Sequence, residues 1–510
     1  MLSPRAPADA PEVSPHPTEP RPGGGWRSHL RAPVVPSEQA PVSIWGRVLV
    51  VAGAVAFATW YGLTACWAFD RFDTFTFDAG IYDQGLWLMS RFRSPFISLI
   101  GRHLFGDHAS FILLLLVPLY WLGASMKALL VLQAVALALA AWPVFLIARD
   151  LLASERVAAV LATVFLLQPA LAWTAREQFH PDAFEVPLLL FALWFMLRRR
   201  WVGFFVFVGL ALLVKEDLAL VTFLLGIYVA VRYSRKVGLA TVAASVLYFV
   251  AAVYGVMRHF NGVGILNAWR IPFGGAGGLA TTLLTDPLRV ADYLAAGGRL
   301  WYLWQLLAPL ALLPLLAPGV LAVAAGPILV NLLSTFRYQH SIEYHYNTQV
   351  LPFLALAAIL GLSRLRRSGL RPAVAALALG AAIASTVTWE PRLVTPYYGG
   401  YRAAPEPAAV QAALDLVPPD AVVSAYYRYT THFDHRVAVY DLPNPFRDSY
   451  WGIGIGWGKR LPQADTVEYV VVPTHALSGE MDKGLLQELH TDFETIHDSG
   501  GVLVLRRQDS

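Results

Sequence analysis

Apolar runs separated by arginine clusters occupy the chain from Val48 to Trp389 and leave it few ways to fold. The runs extend from Val48 to Phe69, Leu129 to Ala148, Val157 to Ala175, Ala183 to Leu197, Trp201 to Val214, Leu218 to Val231 and Val237 to Met257. Others follow from Leu300 to Leu316, Val320 to Leu333, Val350 to Leu362 and Ala373 to Trp389. The first, at roughly 20 residues, is long enough to cross a hydrocarbon core of ~30 Å. With 56% hydrophobic residues, 15% charged residues and a mean hydropathy of +0.50, the chain needs lipid to solvate it. The pattern predicts an all-α polytopic transmembrane bundle of about 11 to 13 helices in the cell membrane.

Charge sets the expected orientation. Arg27, Arg31 and Arg47 precede the first run. Arg198 to Arg200, then Arg232, Arg235 and Lys236, then Arg364, Arg366, Arg367 and Arg371 fill alternate connections. The positive-inside rule makes these cytoplasmic, together with the amino terminus. Counting outward places Arg176 to Glu185, Lys215 to Asp217, Arg258 to Arg299, Phe336 to Asn347 and everything after Trp389 on the other side. For the parity to hold, Ser110 to Leu122, which is short and contains Pro118, must be a re-entrant or interfacial segment.

Three regions result. Residues 1–42, rich in Pro and Gly, are expected to be a disordered cytoplasmic tail and not a cleavable signal. Residues 43–389 form the membrane domain, with a first external loop at 70–108. Residues 390–510 are expected to be a small soluble, extracytoplasmic α/β domain. Its strand-like runs are Ala421 to Ala425, Val437 to Tyr440, Tyr469 to Val472 and Gly501 to Leu505, with helices at Glu406 to Leu416 and Ser478 to His490. The WGIGIGWG stretch, Trp451 to Gly458, lacks the strand–turn–helix setting of a nucleotide fingerprint and is expected to be a mobile aromatic loop. A single cysteine, Cys66, excludes a disulfide framework. The net charge of +4 and pI near 9.0 come from short arginine clusters that suit anionic lipid headgroups, so nucleic acid is not an expected partner.

Chemistry is expected in the external loops. Asp78 precedes an amphipathic stretch from Ala79 to Ser90, where it can cap that helix or take the proton of an attacking alcohol. Asp83 and Gln84 can be the wet face of the helix or part of the same site. Arg102, His103, Asp107 and His108 gather before the short apolar segment, a set able to hold a metal, bind a phosphate or satisfy one another. AREQFHPDAFE compresses Arg176, Glu177, His180, Asp182 and Glu185, although His180-Pro181 can simply break one helix while Asp182 caps the next. Lys215, Glu216 and Asp217 lie between two apolar stretches of about fourteen residues, at membrane depth, where ionisable groups are costly and line polar cavities. They can tie two helices together, or Lys215 can be the counter-ion of a lipid phosphate. FRYQHSIEYHYN adds Arg337, His340, Glu343, Tyr344, His345 and Tyr346, a mixture suited to sugar stacking and phosphate recognition and equally common at membrane interfaces.

Two resemblances follow from these residues. The ordered set DAGIYDQGLW, GDHAS, EQFHPDAF, LLVKED, EYHYNTQVLPF, PPDAVVSA and THFDHRVAVY, from about Phe69 to Pro445, resembles an uncharacterised bacterial polytopic membrane family, domain of unknown function 2079. Its name supplies no activity. More distantly, the chain resembles the GT-C superfamily of polyprenyl-phosphate-sugar glycosyltransferases. Those enzymes open the first external loop with Asp-Glu-x-x-Tyr, and Asp78 and Tyr82 match its Asp and Tyr while Ala79 replaces its Glu. Asp107 and His108 occupy the place of the charged pair that closes the loop. Pro181, Asp182 and Ala183 resemble a later Pro-Asp-Ala element.

The second resemblance implies a GT-C-like bundle that transfers a sugar, with inversion, from a polyprenyl-phosphate donor to a cell-envelope acceptor outside the cytoplasm. Asp78 would be the general base, with Asp83 beside it. Tyr82, Gln84, Asp107, Asp182, Lys215, Arg337, Tyr344 and His345 would contact substrate. Lys215, Arg337 or His108 would face the departing lipid phosphate, and His108, Glu177 and His180 would hold a divalent metal ion if one is used. Losing the usual Glu at Ala79 removes a potential ligand. The carboxy-terminal domain would bind acceptor or cover the cavity through Tyr426, Tyr427, Tyr429, His432 and Trp451. Two other functions fit the hydropathy: a transporter or lipid flippase with Lys215, Glu216 and Asp217 as a midplane relay, and a catalytically inactive cell-envelope assembly protein.

Overall fold

The computed structural model describes residues 44–74, 77–365, 367–390, 405–433, 435–450, 458–479 and 483–508. The expected tail at 1–42 and most of the WGIGIGWG stretch, Trp451 included, lie outside them.

Helix α1, Ile44–Asp70, runs 27 residues, about 40 Å at 1.5 Å per residue, and clears the bilayer core. Its Val50, Phe57, Tyr61 and Ala65, spaced by whole turns, are buried, largely against the helix Met126–Leu139. Val48, Leu49, Val55 and Leu63 stay exposed, an apolar face that acyl chains solvate. Three further helices have the length and composition to span: Met126–Leu152, Arg235–Asn261 and Ser368–Trp389. The apolar pair Glu155–Leu166 and Pro169–Arg176, a broken span or a re-entrant loop, is turned by 50° where Pro169 begins the second limb. Shorter apolar helices, among them Trp201–Leu212, Leu218–Arg232, Pro318–Leu333 and Leu351–Ser363, complete the bundle. Leu351–Ser363 buries every residue but Ser363 and occupies the core.

The segment after the first loop is short. Phe111–Leu115 is a 3₁₀ turn and Val117–Trp121 an α-turn, with Pro118 opening the latter. Eleven helical residues cover only about 16 Å, half of a crossing. Between Arg258 and Arg299, where the sequence indicated only a connection, two helices form, Ala276–Thr285 and Pro287–Ala295. Asp286 starts the second by accepting from the Arg289 amide at 3.2 Å, with Pro287 at its first position.

The carboxy-terminal region forms a mixed five-stranded sheet. Its strands are β1 Val423–Ala425, β2 Val439–Asp441, β3 Tyr469–Pro473, β4 Phe493–Ser499 and β5 Val502–Arg507. Their order is β2-β1-β3-β5-β4, with β1 parallel to β2 and β3 and the other pairings antiparallel. Helices Pro407–Leu414 and Lys483–Asp492 pack against it. β4 escaped the sequence reading because FETIHDS is mostly solvent-facing and lacks an apolar run.

This sheet shares one hydrophobic core with the first loop, in which Leu86, Ile97 and Leu104 join Val423, Val439 and Val504. Ser98 reinforces the joint, its hydroxyl donating to the Val439 carbonyl at 2.6 Å and accepting from the Val439 amide at 2.9 Å. Gly101, at φ +62°, makes room for the Tyr450 ring, which a Cβ there would meet at 2.8 Å.

Candidate active site

Helix α2, Phe77–Ser90, carries Asp78 in its first turn. Asp78 is therefore inside the helix and not its cap, and the exposed amide of Ala79 is taken by the Gln178 side chain at 3.0 Å. Residues four apart share a helical face, so Tyr82 points with Asp78. Tyr82 is buried edge-on against Phe179, with ring centroids 5.8 Å apart. The Asp78 side chain is 39% exposed, accessible to an incoming hydroxyl.

The loop from Glu177 to Asp182 is held by Gln133, a fully buried glutamine in an otherwise apolar helix. Its amide nitrogen donates to the carbonyls of Thr174 at 2.9 Å and Glu177 at 3.0 Å, and its oxygen accepts from the His180 amide at 2.8 Å. His180 is thereby set with Nδ1 on the Gln178 carbonyl at 2.9 Å and Nε2 3.5 Å from the Asp78 carboxylate. The His345 ring stacks on His180 with centroids 3.8 Å apart, and His345 Nδ1 meets Glu177 Oε1 at 3.1 Å. Burial disfavours protonation of His180, but Glu177, Asp78 and Asp182 outweigh it and push the imidazole up to about 9. Burial and the neighbouring His180 lower His345. Burial alone would raise Asp78, yet His180, backed by His345 and Lys215, carries it below its usual range.

Lys215 reaches the same loop and donates to Asp182 at 3.0 Å, both side chains being buried. Lys215 more than offsets burial and holds the Asp182 carboxyl well below the usual carboxylate range. Asp78, Tyr82, Asp182, His180, Lys215 and His345, from four separate stretches of sequence, thus meet at one end of the bundle. The 13-residue helix Glu185–Leu197 leads away from that end to Arg198, which forms a two-point ion pair with Asp150 at 2.7 and 2.8 Å. Arginine-rich connections and the carboxylate cluster therefore occupy opposite ends of this helix.

Other residues singled out from the sequence go elsewhere. Asp83 lies five positions from Asp78, about 140° around the helix. Only 2% exposed, it accepts from the Tyr120 hydroxyl and lies 3.4 Å from His435 Nε2. Gln84 is wholly buried and bonds to Ser98 and the carbonyls of Arg436 and Val437. Both reach the carboxy-terminal region, Asp83 through His435 and Gln84 through the Arg436 and Val437 carbonyls, on a side of the helix other than that of Asp78. His108 pairs with Glu216 at 2.8 Å, and Asp107 with Arg102 at 2.8 Å, closing the first loop. His108 does not join Glu177 and His180; His345 does, so the expected metal trio is regrouped. Arg337 is exposed over the Tyr338 ring at 5.1 Å, with Tyr344 4.6 Å from that ring. His432 stacks between Phe69 and Phe72, which makes it a joint with the first loop.

The sequence reading missed Gln133, Gln178 and Arg270. Gln133 was legible as the one strongly polar residue within MKALLVLQAVALAL after its first turn. Arg270 was not, because only folding brings its charge to bear on Tyr346, which also feels Lys215, Asp78 and Glu177.

The fold is similar to crystal structures of ArnT from Cupriavidus metallidurans. In the apo state that protein superposes with a TM-score of 0.53 at 15% identity, over 84% of this chain and 92% of that chain. Bound to undecaprenyl phosphate, it gives a TM-score of 0.49 at 14% identity, over 91% and 98%. No curated protein matches the sequence. A family model described as "Predicted membrane protein (DUF2079)" matches residues 68–502, and the chain belongs to that membrane-protein family.

Proposed function

We propose that this protein is a GT-C-type inverting glycosyltransferase that moves a sugar from a polyprenyl-phosphate donor to an acceptor at the extracytoplasmic face, with Asp78 as general base. One observation carries the reading: a partly exposed carboxylate at the start of α2 lies 3.5 Å from a buried histidine and feels the charge of a buried lysine, in an ArnT-like fold. ArnT is known with undecaprenyl phosphate bound, and the same class of lipid carrier is assigned to this chain.

The acceptor O–H attacks the anomeric carbon from the side opposite the phosphate. Asp78 accepts the proton as the new C–O bond forms. The bond from the anomeric carbon to the phosphate oxygen breaks, and its electron pair leaves with polyprenyl phosphate. Negative charge grows on that oxygen, which the buried Lys215 would stabilise in low-dielectric surroundings. Tyr82 and the exposed Arg337, Tyr338 and Tyr344 offer aromatic and cationic contacts to sugar or carrier. The carboxy-terminal region covers the first loop and presents the acceptor.

The test is release of polyprenyl phosphate by the full chain in lipid nanodiscs supplied with a polyprenyl-phosphate sugar. Asp78→Asn should lower the rate by at least about 1,000-fold with an unchanged melting temperature. Undiminished turnover in that variant removes Asp78 as base. Substrate flux across vesicles without cleavage would replace the transferase by a transporter.

A further inference from the structure

Glu177 is a buried carboxylate with an incomplete set of partners. Its Oε1 meets His345, whereas Oε2 is buried without a hydrogen bond among the described residues. Arg176 pairs with Glu390 at 3.0 Å and Lys215 with Asp182 at 3.0 Å. A buried carboxylate oxygen without a hydrogen bond leaves room for a further partner. The ligand atoms of Glu177, His180 and His345 all lie within 4.8 Å of one another, and all three residues are buried.

We propose that Glu177, His180 and His345 bind one divalent transition-metal ion of the zinc class, with an open coordination position toward Asp78. Two imidazoles and a carboxylate are a donor set that such ions prefer over magnesium or calcium, which take oxygen. The surroundings are arranged as metal sites require. His180 Nδ1 is engaged by the Gln178 carbonyl, which fixes the tautomer and leaves Nε2 to the ion, and Gln133 anchors the carbonyls and amide of that same loop. A tetrahedral ion sets its ligands about 3.3 Å apart, close to the 3.1 Å that already separates His345 Nδ1 from Glu177 Oε1. Asp78 Oδ2, 3.5 Å from His180 Nε2, borders the remaining position. An anionic oxygen of the donor or the acceptor would enter there. The inference goes beyond sugar transfer, because binding of the bare ion is measurable without donor or acceptor.

The full chain in nanodiscs, stripped with chelator at pH 7.5, is titrated with Zn²⁺, and with Co²⁺ for its visible spectrum. One equivalent should bind, and His345→Ala and Glu177→Gln should each weaken binding by at least about 100-fold. His108→Ala should leave binding unchanged. His345→Cys should retain Zn²⁺ and add a sulfur-to-cobalt charge-transfer band, a rescue that a merely structural histidine would not give, and it carries the test if the alanine variant fails to fold. Absence of stoichiometric uptake by the folded wild type, or uptake indifferent to Glu177 and His345, overturns the site. Uptake without any release of polyprenyl phosphate would keep the site and remove the transfer reading.

Discussion

His180 presents Nε2 to Asp78 at 3.5 Å while its other nitrogen is held by the Gln178 carbonyl at 2.9 Å. The imidazole therefore cannot flip without breaking a contact that Gln133 also supports from below. The orientation of the Asp78–His180 pair is inherited from a buried glutamine on a different helix.

Gln133→Ala should accordingly slow transfer without touching substrate. Loss of its bonds to the 174–180 loop lets His180 and Asp78 drift, and a displacement of about 1 Å costs on the order of 100-fold in rate. Stability should fall by about 1–3 kcal/mol, because buried carbonyls lose their donor. Rate of polyprenyl-phosphate release and melting temperature, read on the same preparation, check both.

Lys215 and Asp182 separate a structural ion pair from a substrate contact. Lys215→Met alone strands a buried carboxylate and should destabilise the chain by about 3–5 kcal/mol. The double variant Lys215→Met/Asp182→Asn should recover most of that stability and none of the transfer rate. Recovery of both would reduce the pair to a helix tie.

Asp83→Asn should leave transfer within about 3-fold of wild type, since the group faces away from Asp78. It should instead loosen the carboxy-terminal region, as should Ser98→Ala, by about 1 kcal/mol each. Faster hydrogen exchange in β1 and β2, with little change in the membrane helices, is the expected signature. A transfer rate abolished by Asp83→Asn would restore it to the catalytic set.

Asp441, at the end of β2, is pushed up to about 7 by burial. Its folded value lies above the unfolded carboxylate range near 3.9. The stability it contributes is thus present at acid pH and lost as pH rises through about 7. Asp441→Asn should raise the melting temperature most at pH 8, less at pH 5 and little below about pH 4, as differential scanning fluorimetry would show.

Much of this architecture could be read from hydropathy because membrane helices announce themselves by length. Ile44–Asp70 and Arg235–Asn261 coincide with the longest apolar runs after allowance for their ends. The strands β1, β2, β3 and β5 were visible as short Val-rich runs, whereas β4 was not, since an edge strand with a wet face has no apolar pattern. Asp78 and Tyr82 could be paired by helical spacing, whereas Asp83 and Gln84 were grouped with them although the same spacing turns both well away from Asp78. His345 could not be paired with Glu177, 168 positions away, because no local spacing encodes a meeting across the bundle. Gln133 was a polar interruption whose purpose emerges only once the loop it holds is in place.

Helix α2 turns Asp78 and Tyr82 inward and Asp83 and Gln84 toward the β2 edge of the sheet. A rod held on two faces works as a lever: whatever tilts the carboxy-terminal region turns Asp78 by the same angle. On the proposed mechanism, a molecule held by that region would be felt at Asp78 before it reached the sugar, and hydrolysis of the donor in its absence would be held in check.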